Sequence, residues 1–383
     1  MNFNIKITLT ALVMGSLISC SENQERENVV VSNSATSDQS NDQPLSVIFM
    51  IGDGMGVPQI STSFYFNDTI SNFEQFTSIG FIKTSSSSHT ITDSAAGATA
   101  MATGQQTYNR AIGVDKDSVS VTTILEELDS KGYQTGLISL TSITHATPAS
   151  FYSHVIDRDM HEKIAMDLTM GKVDFFAGGG WKYFTDRKDG KNLIDQMEQN
   201  GFKIDTLGLS PYDVVKKNGY LLAETSIASV VDGRGSYLGD ATAMALDYFD
   251  QKEAPFFLMV EGSYIDWGGH AKDDKMVIQE TIDFDKTIGV VLDYMKKNPN
   301  TLLVITADHE TGGVAVGKYY DVDPNTNKKS EDPTKVQVYF TTDQHTGELI
   351  PIFAKGKGEQ LFGGIYQNTQ VYTKIKQAIE MAQ

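Results

Sequence analysis

The sequence predicts an α/β fold in which helices cover both faces of a central, mostly parallel sheet. Several segments are apolar without alternation, which is typical of strands buried on both faces. Between them lie segments whose apolar residues recur at helical spacing. Predicted strands and predicted helices alternate along the chain. This order favours a parallel sheet, because each helix carries the chain back to the edge of the sheet where the previous strand began.

Four segments are predicted to be buried strands: 47–51, 134–140, 256–260 and 302–305. A helix is predicted where apolar side chains recur at helical spacing, at Phe284, Ile288, Val291, Leu292 and Met295. Two stretches, 182–235 and 319–335, are expected to be excursions from this pattern. The second of them is polar and contains Pro324, Asn325 and Asn327.

The N-terminus is predicted to be a lipoprotein signal peptide over residues 1–19. Lys6 precedes an apolar run, 7–18, that is too short to span a bilayer. The run ends in Leu-Ile-Ser-Cys, which resembles a bacterial lipobox and implies cleavage before Cys20 and lipidation of its thiol. Cys20 is the one cysteine of the chain, so the sequence offers no disulfide. The alternative is an ordinary signal peptide followed by a free thiol.

Residues 20–44 are polar and predicted to be a flexible tether, which leaves 45–383 as the folded domain. The expected location is therefore the periplasm or the outer membrane, with the lipid on Cys20 as the anchor. The formal net charge of −18 argues against general nucleic-acid binding, which requires basic surfaces.

Acidic and imidazole side chains follow the predicted strands. Asp53 comes after the first strand, Glu261 after the third, and Asp308 with His309 after the fourth. The carboxyl ends of parallel strands meet at one edge, so these groups are expected to converge. Several carboxylates together repel one another unless a cation lies between them. Carboxylate with imidazole suits zinc, and an all-oxygen set suits magnesium.

A serine lies at the start of the small-residue stretch "TDSAAGATAMATG". Taken alone, Ser94 is predicted to be a helix N-cap, since Ser and Asp are preferred there, and the alternative is a nucleophile at a helix start.

Six motifs carry a family resemblance: "IGDGMG", "TDSAAGATAMATG", "HATPASFYSHVIDR", "EGSYIDWGGH", "TADHETGG" and "QHTGE". Their types and order resemble the alkaline phosphatases, and the compact length is most similar to the short, cold-active bacterial members. The resemblance implies a catalytic domain over 45–383 that hydrolyses phosphate monoesters through a covalent phosphoserine, and a homodimer is the expected assembly.

The resemblance also implies roles for individual residues. Ser94 is the expected nucleophile, and the guanidinium of Arg158 is expected to clamp two phosphate oxygens. The implied ligands are Asp266, His270 and His345 for a first zinc, Asp53, Asp308 and His309 for a second, and Asp53, Thr147 and Glu261 for a magnesium.

Two positions depart from the best-known enterobacterial pattern. His145 and Trp267 stand where that enzyme has an aspartate and a lysine. The change removes a cation near the phosphate. It also implies that the third site holds magnesium more weakly or holds zinc instead.

Three other functions compete. A dinucleotide-binding turn is disfavoured because Val57 occupies the position of the third glycine. A non-enzymatic metal or phosphate binder is disfavoured because Ser94 and every implied ligand are present. A relative acting on phosphodiesters or sulfate esters is the remaining alternative, and the combination of Arg158 with three metal sites favours monoesters over it.

Overall fold

The computed structural model describes residues 44–382. The predicted signal peptide, Cys20 and the predicted tether up to residue 43 lie outside the described residues. None of the helices within 44–382 combines the length and the apolar character needed to cross a bilayer.

The strands of this region are β1 Ser46–Gly52, β2 Ser78–Lys83, β3 Gln134–Ser142, β4 Phe175–Gly179, β5 Phe202–Asp205, β6 Lys217–Leu221, β7 Phe256–Gly262, β8 Thr301–Thr306, β9 Glu310–Thr311, β10 Val314–Val322, β11 Lys329–Phe340, β12 His345–Thr346, β13 Ile350–Gly356 and β14 Gly364–Gln367. The α-helices are α1 Val57–Tyr65, α2 Ser94–Thr103, α3 Ile124–Ser130, α4 Ala146–Ala149, α5 His161–Leu168, α6 Lys182–Thr185, α7 Leu193–Gln199, α8 Tyr237–Asp250, α9 Tyr264–Ala271, α10 Asp274–Lys297 and α11 Thr369–Met381. Two 3-10 helices span Asn72–Gln75 and Glu359–Phe362.

Ten of these strands form one sheet in the order β14-β2-β13-β8-β1-β7-β3-β4-β6-β5. β13 runs antiparallel to both of its neighbours, and the other pairs in the sheet are parallel. The predicted class, a mostly parallel α/β sheet, is confirmed.

The four strands predicted from apolar runs are β1, β3, β7 and β8, and they are consecutive at the centre of the sheet. Every residue of β7 and β8 is buried. Successive side chains of a strand point to opposite faces, so complete burial means that both faces are covered. The predicted helix lies within α10, where Phe284, Ile288, Val291 and Leu292 are buried.

One predicted excursion is wrong in part. The stretch 182–235 contains β5 and β6, which extend the central sheet at one edge. β5 is only four residues long and partly exposed, so it lacks the apolar run that reveals a central strand. The stretch 319–335 does leave the sheet, since it belongs to the hairpin of β10 and β11.

Candidate active site

The carboxyl ends of the central strands bring the predicted acidic residues to one edge of the sheet. Asp53 follows β1 directly, Glu261 is the penultimate residue of β7, and Asp308 lies two positions after β8. Gly54 makes the close approach between segments possible. Its φ is +73°, and a Cβ atom there would lie 2.6 Å from Cα of Asp266.

Asp266, His270 and His345 form the first cluster. Asp266 and His270 lie four apart on α9, and their Oδ1 and Nε2 atoms are 3.4 Å apart. Nε2 of His345 lies 3.1 Å from Nε2 of His270 and 3.6 Å from Oδ1 of Asp266. His345 reaches this position because β12 pairs with β9, which places it opposite Thr311.

The second cluster contains Asp53, Asp308 and His309, all of which are buried. Nε2 of His309 lies 3.5 Å from Oδ1 of Asp53 and 3.3 Å from Oδ2 of Asp308. Burial, together with the charge of neighbouring carboxylates such as Asp308, raises the pKa of Asp53 well above its ordinary value. Burial also raises the pKa of Asp308, and burial and the nearby His345 lower the pKa of His309 well below its usual range.

The three histidines of these clusters share one orientation. Nδ1 of His270 lies 2.6 Å from the carbonyl oxygen of Asp343, and Nδ1 of His345 lies 2.9 Å from that of Thr92. Nδ1 of His309 lies 3.2 Å from Oγ1 of Thr311, whose hydroxyl donates to Asp266. Each imidazole therefore donates from Nδ1, and in the neutral ring Nε2 is then the unprotonated nitrogen directed into the site.

Several buried oxygens of the site lack a hydrogen-bond partner among the described residues: both carboxylate oxygens of Asp53, Oγ1 of Thr147, Oε1 of Glu261 and Oδ2 of Asp308. The other oxygen of Glu261 accepts from Ser139 at 2.6 Å. Buried polar atoms are normally paired, and buried carboxylates are normally compensated by a positive charge. Opposed imidazole lone pairs and unpartnered carboxylates are the donor set that divalent cations bind, so the residues fit the implied metals.

Ser94 is the first residue of α2 and is buried. The N-cap is Asp93, whose Oδ1 accepts from the backbone N of Ala96 at 3.0 Å. The interpretation of Ser94 as the N-cap is therefore wrong, because the side chain of Asp93 already accepts from the backbone N–H of Ala96. The hydroxyl of Ser94 instead lies 3.2 Å from Nε2 of His309.

Arg158 reaches the same place from the loop that follows α4. Its Nη1 donates to Oδ2 of Asp93 at 3.0 Å, and its Nη2 donates to Nε2 of His145 at 3.3 Å. Burial and the charge of Arg158 lower the pKa of His145 well below its ordinary value, so the imidazole is neutral. Trp267, about one third exposed, packs edge-on against His145 with 6.3 Å between ring centroids.

The structure therefore brings together all the residues predicted for the site, and it adds Asp93, Thr311 and Glu310. Asp93 was not predicted as the cap, although aspartate is a preferred N-cap residue, and its bond to Arg158 joins residues 65 positions apart. Glu310 and Thr311 stand within "TADHETGG". No spacing rule reveals that Thr311 contacts two of the predicted ligands, Asp266 and His309, or that Glu310 contacts Thr346.

Comparison with known proteins agrees with this geometry. The family model described as alkaline phosphatase matches residues 45–334, and the chain belongs to that family. Alkaline phosphatase 4 of Bacillus subtilis is 32% identical, over 85% of this chain and 86% of that protein. Alkaline phosphatase of Escherichia coli is 27% identical, over 90% of this chain and 88% of that protein.

Among solved structures, the alkaline phosphatase of the Antarctic bacterium TAB5 is 43% identical, with a TM-score of 0.85 over 88% of this chain and 98% of that chain. A cold-active alkaline phosphatase from Shewanella is 29% identical with a TM-score of 0.76, over 88% of this chain and 100% of that chain. The resemblance to the short bacterial type is confirmed. The protein is an alkaline phosphatase, an enzyme of phosphate monoester hydrolysis.

Proposed function

We propose that this enzyme hydrolyses phosphate monoesters in a metal-dependent reaction that passes through a phosphoserine at Ser94. One observation carries the proposal: Oγ of Ser94 lies at the start of a buried helix, 3.2 Å from an imidazole nitrogen of a carboxylate-rich cluster. A serine in this place meets both the N-terminal amides of α2 and the cation-binding side chains.

Three ions would be held by the residues of the site. Asp266, His270 and His345 would supply one zinc site, and Asp53, Asp308 and His309 a second. Ligand atoms of Asp266, His309 and His345 also lie within 4.8 Å of one another, so the two sites adjoin. Asp53, Thr147 and Glu261 offer the unpartnered oxygens of a magnesium site. When bound, the ions supply positive charge that offsets the charge of a phosphate dianion and activates the oxygen atoms that react.

The nature of the third ion depends on His145. Its Nδ1 atom is buried and lacks a hydrogen-bond partner among the described residues. Because Nε2 accepts from Arg158 in the neutral ring, Nδ1 carries the proton, and it could bind a cation only after losing that proton. A histidine-to-aspartate mutant of the TAB5 enzyme holds magnesium in its M3 site. We infer that the native histidine of this chain weakens magnesium binding or admits zinc, since imidazole suits zinc.

The reaction has two steps, in which Ser94, Arg158 and Asp93 have separate roles. Oγ of Ser94 attacks phosphorus, the ester P–O bond breaks, and the alcohol leaves with one proton while the phosphoryl group stays on Ser94. Water then attacks phosphorus on the side opposite Oγ, the bond to Ser94 breaks, and the hydroxyl regains its proton as phosphate leaves. Arg158 offers a planar fork for two phosphate oxygens, and Asp93 orients that fork.

A comparison of three aryl esters tests the reaction. We expect rapid hydrolysis of the phosphate monoester, little hydrolysis of the matching diester and sulfate, and loss of activity in prolonged chelator with recovery on adding zinc and magnesium. Preference for the diester or sulfate would support the alternative function, and full activity in chelator would exclude the metal-dependent reaction.

Labelled phosphate tests the intermediate. At mildly acid pH, the label should mark Ser94 in the wild type and no residue in Ser94→Ala, while the variant still binds zinc. A label on any other residue would contradict the assignment of the nucleophile.

We also propose that the enzyme is exported, carries a lipid on Cys20 and acts as a homodimer in the periplasm or at the outer membrane. The lipobox-like sequence before Cys20 supports the anchor. Cys20→Ser should move the enzyme from the membrane fraction to the soluble fraction with unchanged catalysis. Equal fractionation of both forms would favour an ordinary signal peptide.

A further inference from the structure

Arg110 bridges the two residues that flank Arg158. Its Nε donates to Oδ2 of Asp157 at 2.9 Å and its Nη2 donates to Oδ1 of Asp157 at 2.8 Å. The same Nη2 also contacts Oδ2 of Asp159. One guanidinium thus holds the chain on both sides of Arg158, and its paired bonds to Asp157 restrict orientation as well as distance.

The backbone of Arg110 is also linked to the side chain of Arg158, through the carboxylate of Asp93. Its N–H donates to Oδ2 of Asp93 at 3.0 Å, and this is the oxygen that accepts from Nη1 of Arg158 at 3.0 Å. Oδ1 of Asp93 is occupied by the N-terminus of α2. Arg110 therefore fixes both the carboxylate that orients the Arg158 side chain and the loop that carries its backbone.

The backbone conformation at Arg110 favours glycine over arginine. Its φ is +77°, a left-handed conformation in which a side chain is strained and glycine is not. The side chain is also 47% exposed, and ion pairs at exposed positions contribute little to stability. Folding alone therefore does not account for an arginine here, and strain retained beside a reactive site points to a function.

The charges of the residues that flank Arg158 indicate what that function is. Asp157 and Asp159 are carboxylates on either side of Arg158, and the hydrogen bond from Arg110 lowers the pKa of Asp157, which keeps it ionised. Without Arg110, these two carboxylates would compete with the phosphate for the Arg158 guanidinium and would repel the phosphate itself. With Arg110 in place, both are already paired.

We propose that Arg110 is a positioning residue for Arg158, which holds the Arg158 guanidinium in the orientation that binds a phosphate group. The proposal rests on the proposed role of Arg158 in binding phosphate. Arg110 itself makes no contact with the reacting atoms in this scheme.

The test substitutes Arg110 by glycine, which relieves the strained backbone while removing the bridge. We expect Arg110→Gly to be at least as stable as the wild type. Its KM and its inhibition constant for inorganic phosphate should rise about 3- to 10-fold, with a smaller change in kcat. A purely structural role predicts the reverse, with lower stability and unchanged phosphate binding.

Glu253→Gly is the matched control. Glu253 is also an exposed non-glycine residue with positive φ, 51°, and it precedes β7 at the end of the strand opposite Glu261. The substitution relieves the same kind of strain away from the site, so stability should not fall and the inhibition constant should not change. Arg110→Lys, which keeps the charge but not the fork, should restore little of the phosphate affinity.

Arg158→Ala separates the proposal from the function on which it rests. The wild type and Arg158→Ala are compared first, and a large weakening of phosphate inhibition is expected. Arg110→Gly should then add nothing in the Arg158→Ala background. If Arg158→Ala leaves phosphate inhibition unchanged, the role of Arg158 is wrong. If Arg158→Ala weakens it but Arg110→Gly alone does not, only the positioning role is overturned.

Discussion

Nη1 of Arg158 donates to Oδ2 of Asp93 at 3.0 Å, and the other oxygen of Asp93 caps α2 by accepting from the backbone N of Ala96. The residue that caps the helix of the proposed nucleophile therefore also orients the guanidinium that we propose to bind phosphate. The position of Ser94 and the direction of Arg158 are coupled through one carboxylate.

Substitutions of Asp93 should separate these two tasks. Asparagine caps helices as well as aspartate, so Asp93→Asn should keep the wild-type stability while the inhibition constant for phosphate rises about tenfold, because a neutral amide holds Arg158 less firmly. Asp93→Ala should show the same loss of affinity and a decrease of about 1 kcal/mol in the free energy of unfolding. Inhibition kinetics and denaturant unfolding measure the two effects. Equal stability of the two variants would contradict the capping role.

Glu310 should control how firmly the site retains metal. This buried carboxylate accepts from Nε2 of Gln59 at 2.7 Å and from the backbone N of Val314 at 3.0 Å, and it also contacts the hydroxyl of Thr346. It is adjacent to His309, and Thr346 is adjacent to His345. In Glu310→Gln, an amide NH2 group replaces one carboxylate oxygen, so a donor then faces one of these donors. We expect zinc affinity to fall about 10- to 100-fold, as measured by competition with a chromophoric chelator.

The matched control for Glu310 is Asp285→Asn. Asp285 is also a buried carboxylate, and it accepts from Ser71 and from the backbone N of Asn72 at 2.9 and 2.8 Å, away from the site. Both variants should lose stability, because each leaves buried donors poorly satisfied. Zinc affinity should fall in Glu310→Gln alone. A similar fall in both would show that general destabilisation, and not ligand positioning, controls metal retention.

The pair of His145 and Trp267 should set product affinity. In the double variant His145→Asp with Trp267→Lys, a carboxylate replaces the neutral imidazole at the proposed magnesium site, and a cation is added near the proposed phosphate position. We expect tighter inhibition by phosphate, stronger dependence on magnesium, and lower turnover wherever product release is limiting. The measurement is the phosphate inhibition constant at fixed ionic strength. An unchanged or weaker constant in a variant that retains zinc would contradict this prediction.

A group of three charged side chains outside the candidate active site, Glu126, His154 and Lys172, should make the stability of the fold depend on pH. Oε1 of Glu126 lies 3.0 Å from Nε2 of His154 and 2.7 Å from Nζ of Lys172. Burial opposes ionisation of Glu126, but hydrogen bonds from His154 and Lys172 outweigh it and lower the pKa of Glu126 to about 2. Burial likewise opposes protonation of His154. Its hydrogen bonds to Glu126 and to the backbone of Gly113, with the charge of Glu126, together outweigh burial and raise the pKa of His154.

The signs of these two shifts define the pH window. A lowered carboxyl pKa stabilises the fold above the unfolded value near 4.5, and this contribution, about 3 kcal/mol, is lost as pH falls toward 2. A raised imidazole pKa stabilises the fold below about 6.5, and this contribution is lost as pH rises through the folded value. The stability difference between the wild type and Glu126→Gln should therefore be largest between about pH 4.5 and 6.5. Unfolding by denaturant from below about pH 4.5 to above about pH 6.5 measures it. A difference that stays constant over that wider range would contradict the prediction.

Local patterns were sufficient to predict the centre of the fold. β1, β3, β7 and β8 are apolar on both faces, and a strand with this composition has few stable places outside the middle of a covered sheet. The direction of these strands then requires that Asp53, Glu261 and Asp308 meet at one edge. The edge strands β5 and β6 could not be predicted in the same way. β5 is partly exposed, and β6 is nearly all buried but begins with Lys-Asn-Gly, so neither has an apolar run.

The contacts that make the site work depend on packing between distant segments. His345 enters the cluster through the pairing of β12 with β9, and a shift of one residue in that register would turn its side chain to the other face. Arg158 finds Asp93 across 65 positions, and Arg110 reaches both flanks of Arg158 from a left-handed turn. Residue types and motif order identify which groups are present, because chemistry is local. Their distances and orientations follow from tertiary packing, since no local pattern encodes how separate loops meet.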